Sequence, residues 1–206
     1  MFEKSPSSPL PPPQELPAAL SELRREVLEC GRCGLRSGAT QAVLGVGPLG
    51  APLMFVGEAP GKEEDRLGAP FVGNAGKLLN RTLEKFGVAR SQVYITNVVK
   101  YRPPANRLPR AGEIRACMAH LRREIELVRP KIICALGAVS AQALLGSREN
   151  LARLRGRYTE AHGARIYCTF HPAYVLRTME YSRSVLETFE ADVRRVCRDA
   201  GFPEHF

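Results

Sequence analysis

Long apolar runs are missing from this chain. None reaches membrane-spanning length and the amino terminus has no signal-peptide core, which argues against a spanning or exported protein and predicts a cytoplasmic one. No internal repeat is visible, so stacked-repeat architectures are set aside. Acidic residues are in short supply: 21 Asp and Glu face 30 Lys and Arg, for a formal charge of +9. An excess carried mostly by arginine suits an acidic partner, nucleic acid first, because the guanidinium fork matches phosphate. A GC-rich genome would inflate arginine without any partner, so the motifs must decide between these readings. At 206 residues the chain suffices for one sizeable core and is too short for two domains. Six cysteines in a cytoplasmic chain read as thiols or ligands rather than disulfides.

Residues 1–16, rich in Pro and Ser, read as a disordered or extended leader, and 17–206 as the folded domain. A helix is predicted from near Pro17 through Leu28, with Ser21 as an early cap, leading to Cys30-Gly31-Arg32-Cys33. Buried strands are predicted at 53–56, 92–99, 131–137 and 165–170, from their apolar and β-branched runs. Helical periodicity lies between and after them, at 77–86, 113–128, 138–145 and 184–200. Such alternation predicts an α/β/α sandwich with a four-stranded, mostly parallel sheet.

The first strand runs into Gly57-Glu58-Ala59-Pro60-Gly61, then an acidic cluster, then a second loop, Pro70-Phe71-Val72-Gly73. The Gly57–Gly61 loop lacks both phosphate-cradle spacings, and its acids would repel phosphate, so it reads as a catalytic loop. Three strands end in polar loops: Glu58 with Glu63, Glu64 and Asp65; Asn97 with Lys100; and His171. In a parallel sheet these ends share one edge and can converge on one pocket. Each has a plainer reading, as a solvated helix start, a turn cap or a structural histidine.

Four motifs occur in order: Gly57-Glu58-Ala59-Pro60-Gly61, Pro70-Phe71-Val72-Gly73, Ile95-Thr96-Asn97-Val98-Val99-Lys100 and His171-Pro172-Ala173-Tyr174-Val175-Leu176-Arg177. Together they resemble the iron–sulfur class of uracil-DNA glycosylases, family four, from about Cys30 to Arg177. The resemblance implies an enzyme that flips deoxyuridine out of DNA and hydrolyses its N-glycosidic bond, initiating base excision repair. It implies Asn97 as the uracil reader, Phe71 as the stacking aromatic, and Gly57 and Ala59 as pocket walls. It further implies His171 beside uracil O2, and Glu58 positioning water or stabilising the cationic sugar, with Glu64 and Asp65 as helpers. Lys100, Arg102, Arg107 and Arg177 are placed to grip phosphates, and Leu176 to wedge into the gap left by the base. A monomer acting on uracil-containing DNA is expected.

The family's [4Fe–4S] cluster is held by four cysteines. Cys30, Cys33 and Cys117 fit that set, but Tyr101 stands at the remaining position and is a poor match for soft iron–sulfur ligation. Three outcomes are open: a cluster with a substitute ligand, another metal such as zinc, or none; three persisting cysteines favour a bound metal, and the resemblance implies the [4Fe–4S] cluster. Cys134, Cys168 and Cys197 read as buried apolar thiols. Rival readings are a DNA-binding member without turnover, a glycosylase acting on other deaminated bases, and a member trapped covalently on its product.

Overall fold

The computed structural model describes residues 18–179 and 181–203; the leader expected at 1–16 lies outside them. Strands β1 (Leu53–Gly57), β2 (Tyr94–Asn97), β3 (Ile132–Leu136), β4 (Tyr158–Ala161) and β5 (Ala164–Thr169) form one sheet in the order β2-β1-β3-β5-β4. Pairs β1–β2, β1–β3 and β3–β5 are parallel, while β4 pairs antiparallel with β5. The chain leaves β1 to one side for β2 and returns to the other side for β3. The carboxyl ends therefore part there, which opens a crevice.

Side-chain alternation along the strands sorts the core into two layers. Met54 and Val56 face α1 (Ala18–Glu29), α4 (Ala111–Val128) and α5 (Ala138–Leu145), meeting Leu23, Val27, Leu121, Ile125 and Ala141. Leu53 and Phe55 face α3 (Asn74–Lys85), α7 (Pro172–Thr178) and α8 (Arg183–Ala200), through Leu79, Leu83, Val175, Phe189 and Val193. The α/β/α sandwich is as expected, with one strand more than expected.

The extra strand, β4, is an edge strand whose Tyr-Thr-Glu-Ala carries no apolar run. His162 and Gly163, both at positive φ, make the two-residue turn into β5 that fixes its register. Ser21 lies inside α1 rather than at its cap. The acidic cluster forms the first turn of a short helix, α2 (Lys62–Leu67), where carboxylates offset the helix dipole, and Gly68 ends it in the left-handed conformation. A further short helix, α6 (Leu151–Leu154), precedes β4.

Candidate active site

Glu58 follows β1, Asn97 ends β2 and His171 follows β5, so three carboxyl ends of the sheet contribute to one cavity of about 400 Å³. Phe71, Ala59, Glu64, Arg107 and Arg177 also line it. The β1 and β2 loops are tied by backbone bonds from Val98 N to Gly57 O (3.0 Å) and Val99 N to Glu58 O (3.2 Å). Gly57 leaves room at the cavity floor. A Cβ there would lie 2.4 Å from Asn97 Oδ1 and 2.5 Å from the Phe71 ring.

Asn97 is 1% exposed, and its Oδ1 is a buried acceptor with no hydrogen-bond partner among the described residues. A buried polar atom left unpaired costs about 1–3 kcal/mol, so the site is built for a donor that arrives with a ligand. Phe71 is a buried phenylalanine at φ 54°, a left-handed conformation disfavoured for such a residue. Two features hold it. Arg90 donates to Phe71 O (3.3 Å) and to Asn80 Oδ1 (3.0 Å), and also to Pro70 O. Gly76 lies so close beneath that a Cβ would overlap Phe71 O. The Phe71 and His171 rings face each other with centroids 5.8 Å apart, tilted by 31°.

His171 caps α7, its Nδ1 accepting from Ala173 N–H at 3.1 Å. With Nδ1 as acceptor, the neutral ring carries its proton on Nε2. Burial, with a smaller contribution from the Arg177 charge, pushes the imidazole down to about 4, so near neutral pH it is an uncharged donor. Burial also raises the half-buried Glu58 carboxyl above its usual range, and the Arg177 guanidinium opposes that shift.

Several expected site residues do other work. Glu64 accepts from Gly61 N (3.1 Å), Val72 N (3.0 Å) and Gly73 N (2.8 Å), clasping the two loops together. Asp65 is buried and accepts from Thr40 N (2.9 Å), outside the residues that line the cavity. Lys100 is a correction. It is fully buried, paired with Glu124 at 2.6 Å and donating to Thr96 Oγ1 (2.8 Å) and Asn97 O (2.7 Å), so it cannot reach phosphate. Arg107 lines the cavity but is engaged by both oxygens of Glu113 (2.8 and 2.6 Å). Arg102, half-buried, donates to Asn106 Oδ1 (2.7 Å). Leu176 is half-buried on α7 and does not line the cavity, whereas Leu108, 66% exposed, does. Sequence reasoning missed Arg90, Gly76 and Leu108: Arg90 acts on Phe71 from 19 positions away, Gly76 matters only through the close approach of the Phe71 backbone, and Leu108 carries no motif.

The profile of the Uracil DNA glycosylase superfamily matches residues 44–194. This chain belongs to that superfamily. A type-4 uracil-DNA glycosylase of Thermotoga maritima is 42% identical over 181 residues, covering 86% of this chain and 93% of the relative. The type-4 enzyme of Archaeoglobus fulgidus is 38% identical over 186 residues (86% and 92%). A type-5 uracil-DNA glycosylase of Pyrobaculum aerophilum is 34% identical over 172 residues (75% of each). The resemblance read from the four motifs is thereby borne out.

Three cysteines of this uracil-DNA glycosylase superfamily member, Cys30, Cys33 and Cys117, belong to the region where α1 and α4 meet. Cys30 and Cys33 are half-buried, and Cys117 on α4 is buried. Cys30 Sγ accepts from Arg32 Nε (3.3 Å), and Arg32 Nη2 meets His120 Nε2 at 2.7 Å. Tyr101 is buried, and its hydroxyl donates to Val27 O at 2.9 Å. A metal ligand must give up its proton; this phenol uses its own in a hydrogen bond, and burial raises its pKa. Among the described residues, no three His, Cys, Asp or Glu side chains gather as metal ligands would. The donor set does not fit a four-thiolate cluster. Cys134, Cys168 and Cys197 are buried thiols in β3, β5 and α8.

Proposed function

We propose that this chain is a uracil-DNA glycosylase that takes deoxyuridine out of DNA and hydrolyses its N-glycosidic bond, the opening step of base excision repair. One observation carries the reading: the unpaired Oδ1 of Asn97 at the floor of the cavity. Uracil N3–H supplies the missing donor, and the same amide donates through Nδ2 to O4. Cytosine presents an acceptor at N3 and a donor at N4, so it would leave both amide atoms unsatisfied, at about 1–3 kcal/mol each. The base stacks on Phe71, whose strained backbone fixes the ring before the base arrives.

His171 donates from Nε2 to uracil O2. As the C1′–N1 bond breaks, its electron pair moves onto the pyrimidine, and this bond strengthens with the developing negative charge. A neutral donor suffices, because uracil leaves as a stabilised anion. Glu58 supplies negative charge to the cationic sugar and orients the water that attacks C1′; the water proton ends on the base or in solvent. Arg177 at the mouth holds a flanking phosphate, while Arg102 and Arg107 shape the loop. The clasp of Glu64 and the link from Lys100 to Asn97 O keep these groups in place. Tyr101 does not line the cavity, which supports turnover rather than an inactive binding module.

Single-turnover cleavage of an oligonucleotide holding one deoxyuridine, followed by alkaline scission, tests the reading. Strand breakage is expected with deoxyuridine and not with thymidine. Gly57→Ala is expected to cut the rate by about a hundredfold or more, since a methyl would displace Asn97 or Phe71. Folded protein that binds this DNA without breaking it would overturn the proposal.

A further inference from the structure

In the type-4 pattern read from the sequence, a metal cluster would cross-link the end of α1 to the loop after β2 and to α4. Tyr101 sits at the junction of these elements. Its hydroxyl reaches Val27 O at 2.9 Å and Leu28 O at 3.5 Å, carbonyls of the last turn of α1. Val27 O also accepts from Cys30 N–H at 3.1 Å, so the hydroxyl adds a second donor at the helix end, where the last carbonyls run out of intrahelical partners. The ring is 5% exposed and packs in the same core layer as Leu23, Val27, Cys117 and Leu121, which joins α1 to α4. Both halves of the side chain are thus used: the ring fills the junction and the hydroxyl pins the helix.

We infer that Tyr101 replaces the fourth thiolate with a hydrogen-bonded tether, and that this chain closes the junction of α1, α4 and the β2 loop without a [4Fe–4S] cluster. Of the other potential ligands, Cys30 is engaged. Cys30 accepts from Arg32, and the Arg32 guanidinium extends to His120 on α4, a second polar link across the junction. The guanidinium donating to the Cys30 sulfur engages one of its lone pairs. This inference is independent of the glycosylase reading, because none of these residues lines the cavity.

Iron and acid-labile sulfide measured on the anaerobically purified full chain give the direct test. Little of either is expected, and about four of each per chain, set by the cluster formula, would overturn the inference. Tyr101→Phe removes only the hydroxyl. It should lower Tm by about 2–4 °C and speed amide exchange in Ala18–Glu29 about fivefold, the loss of one net hydrogen bond. No change in either would remove the tether. Tyr101→Cys, incubated anaerobically with ferrous iron and sulfide beside the parent, should gain the visible absorption of an iron–sulfur cluster while the parent does not. Equal loading of both would defeat the inference whether or not the Phe variant folds.

Discussion

His171 combines a sequence signal with a consequence that only its surroundings create. The His-Pro step predicts a loop residue at the sheet edge; the Ala173 N–H on Nδ1 and burial make it a neutral ring with a proton on Nε2. The folded-state value of about 4 lies below the ordinary 6.5, so between the two the unfolded chain binds the extra proton. Stability should therefore rise with pH across that window and be lost as pH falls from about 6.5 towards 4. In His171→Asn, the amide oxygen can still accept from Ala173 N–H, and this part of the slope should vanish. Urea midpoints of both proteins across the window decide it, and parallel pH profiles would show that His171 is not the group responsible. Phe71 follows the same pattern. Its motif identifies it, while its left-handed backbone exists because Arg90 and Gly76 accommodate it.

At the scale of elements, β2 and α4 are joined by a buried ion pair. Lys100 Nζ and Glu124 lie at 2.6 Å, with Thr96 Oγ1 also donating to Glu124 (2.7 Å) and Gly45 N to its other oxygen (2.9 Å). Such a pair adds little over an apolar equivalent, but breaking it strands a buried charge. Lys100→Met should cost about 3–5 kcal/mol, and adding Glu124→Leu should restore much of that loss. Denaturant titration of the single and double variants measures the coupling; additive losses would show that the two residues act separately. Because Lys100 also holds Asn97 O, the single variant should excise uracil more slowly as well. The sequence pattern placed Lys100 among the phosphate-gripping residues, since a lysine after a strand is usually solvated. What buries it is Glu124, 24 residues further along, which no local pattern reports.

For the whole molecule, the charge of +9 predicts DNA affinity that weakens with salt, with a slope set by the number of phosphates neutralised. Of the four cations assigned to phosphate from the sequence, Lys100 is sealed in the core and Arg107 is held by Glu113, while exposed Arg177 stands at the cavity mouth. Arg177→Gln should therefore lower the slope of log affinity against log salt by about one, without a change in fold. Binding isotherms at several salt concentrations on an abasic-site duplex give that slope, and an unchanged value would remove Arg177 from the interface.

By itself the sequence determined the layered α/β architecture, four of the five strands and the gathering of Glu58, Asn97 and His171 at one edge of the sheet, where Phe71 also lines the cavity. Apolar period and loop motifs are local properties, written in consecutive residues. The edge strand β4 was invisible because, half in solvent, it needs no apolar run, and only pairing with β5 makes it a strand. Only the tertiary structure decided which polar side chains face the cavity, which are clasps and which are buried pairs. It also decided that the Tyr101 hydroxyl turns to α1. Those outcomes rest on partners brought together across 24, 73 or more positions of chain, where distance and burial, not residue type, set what a charge or a hydroxyl can do.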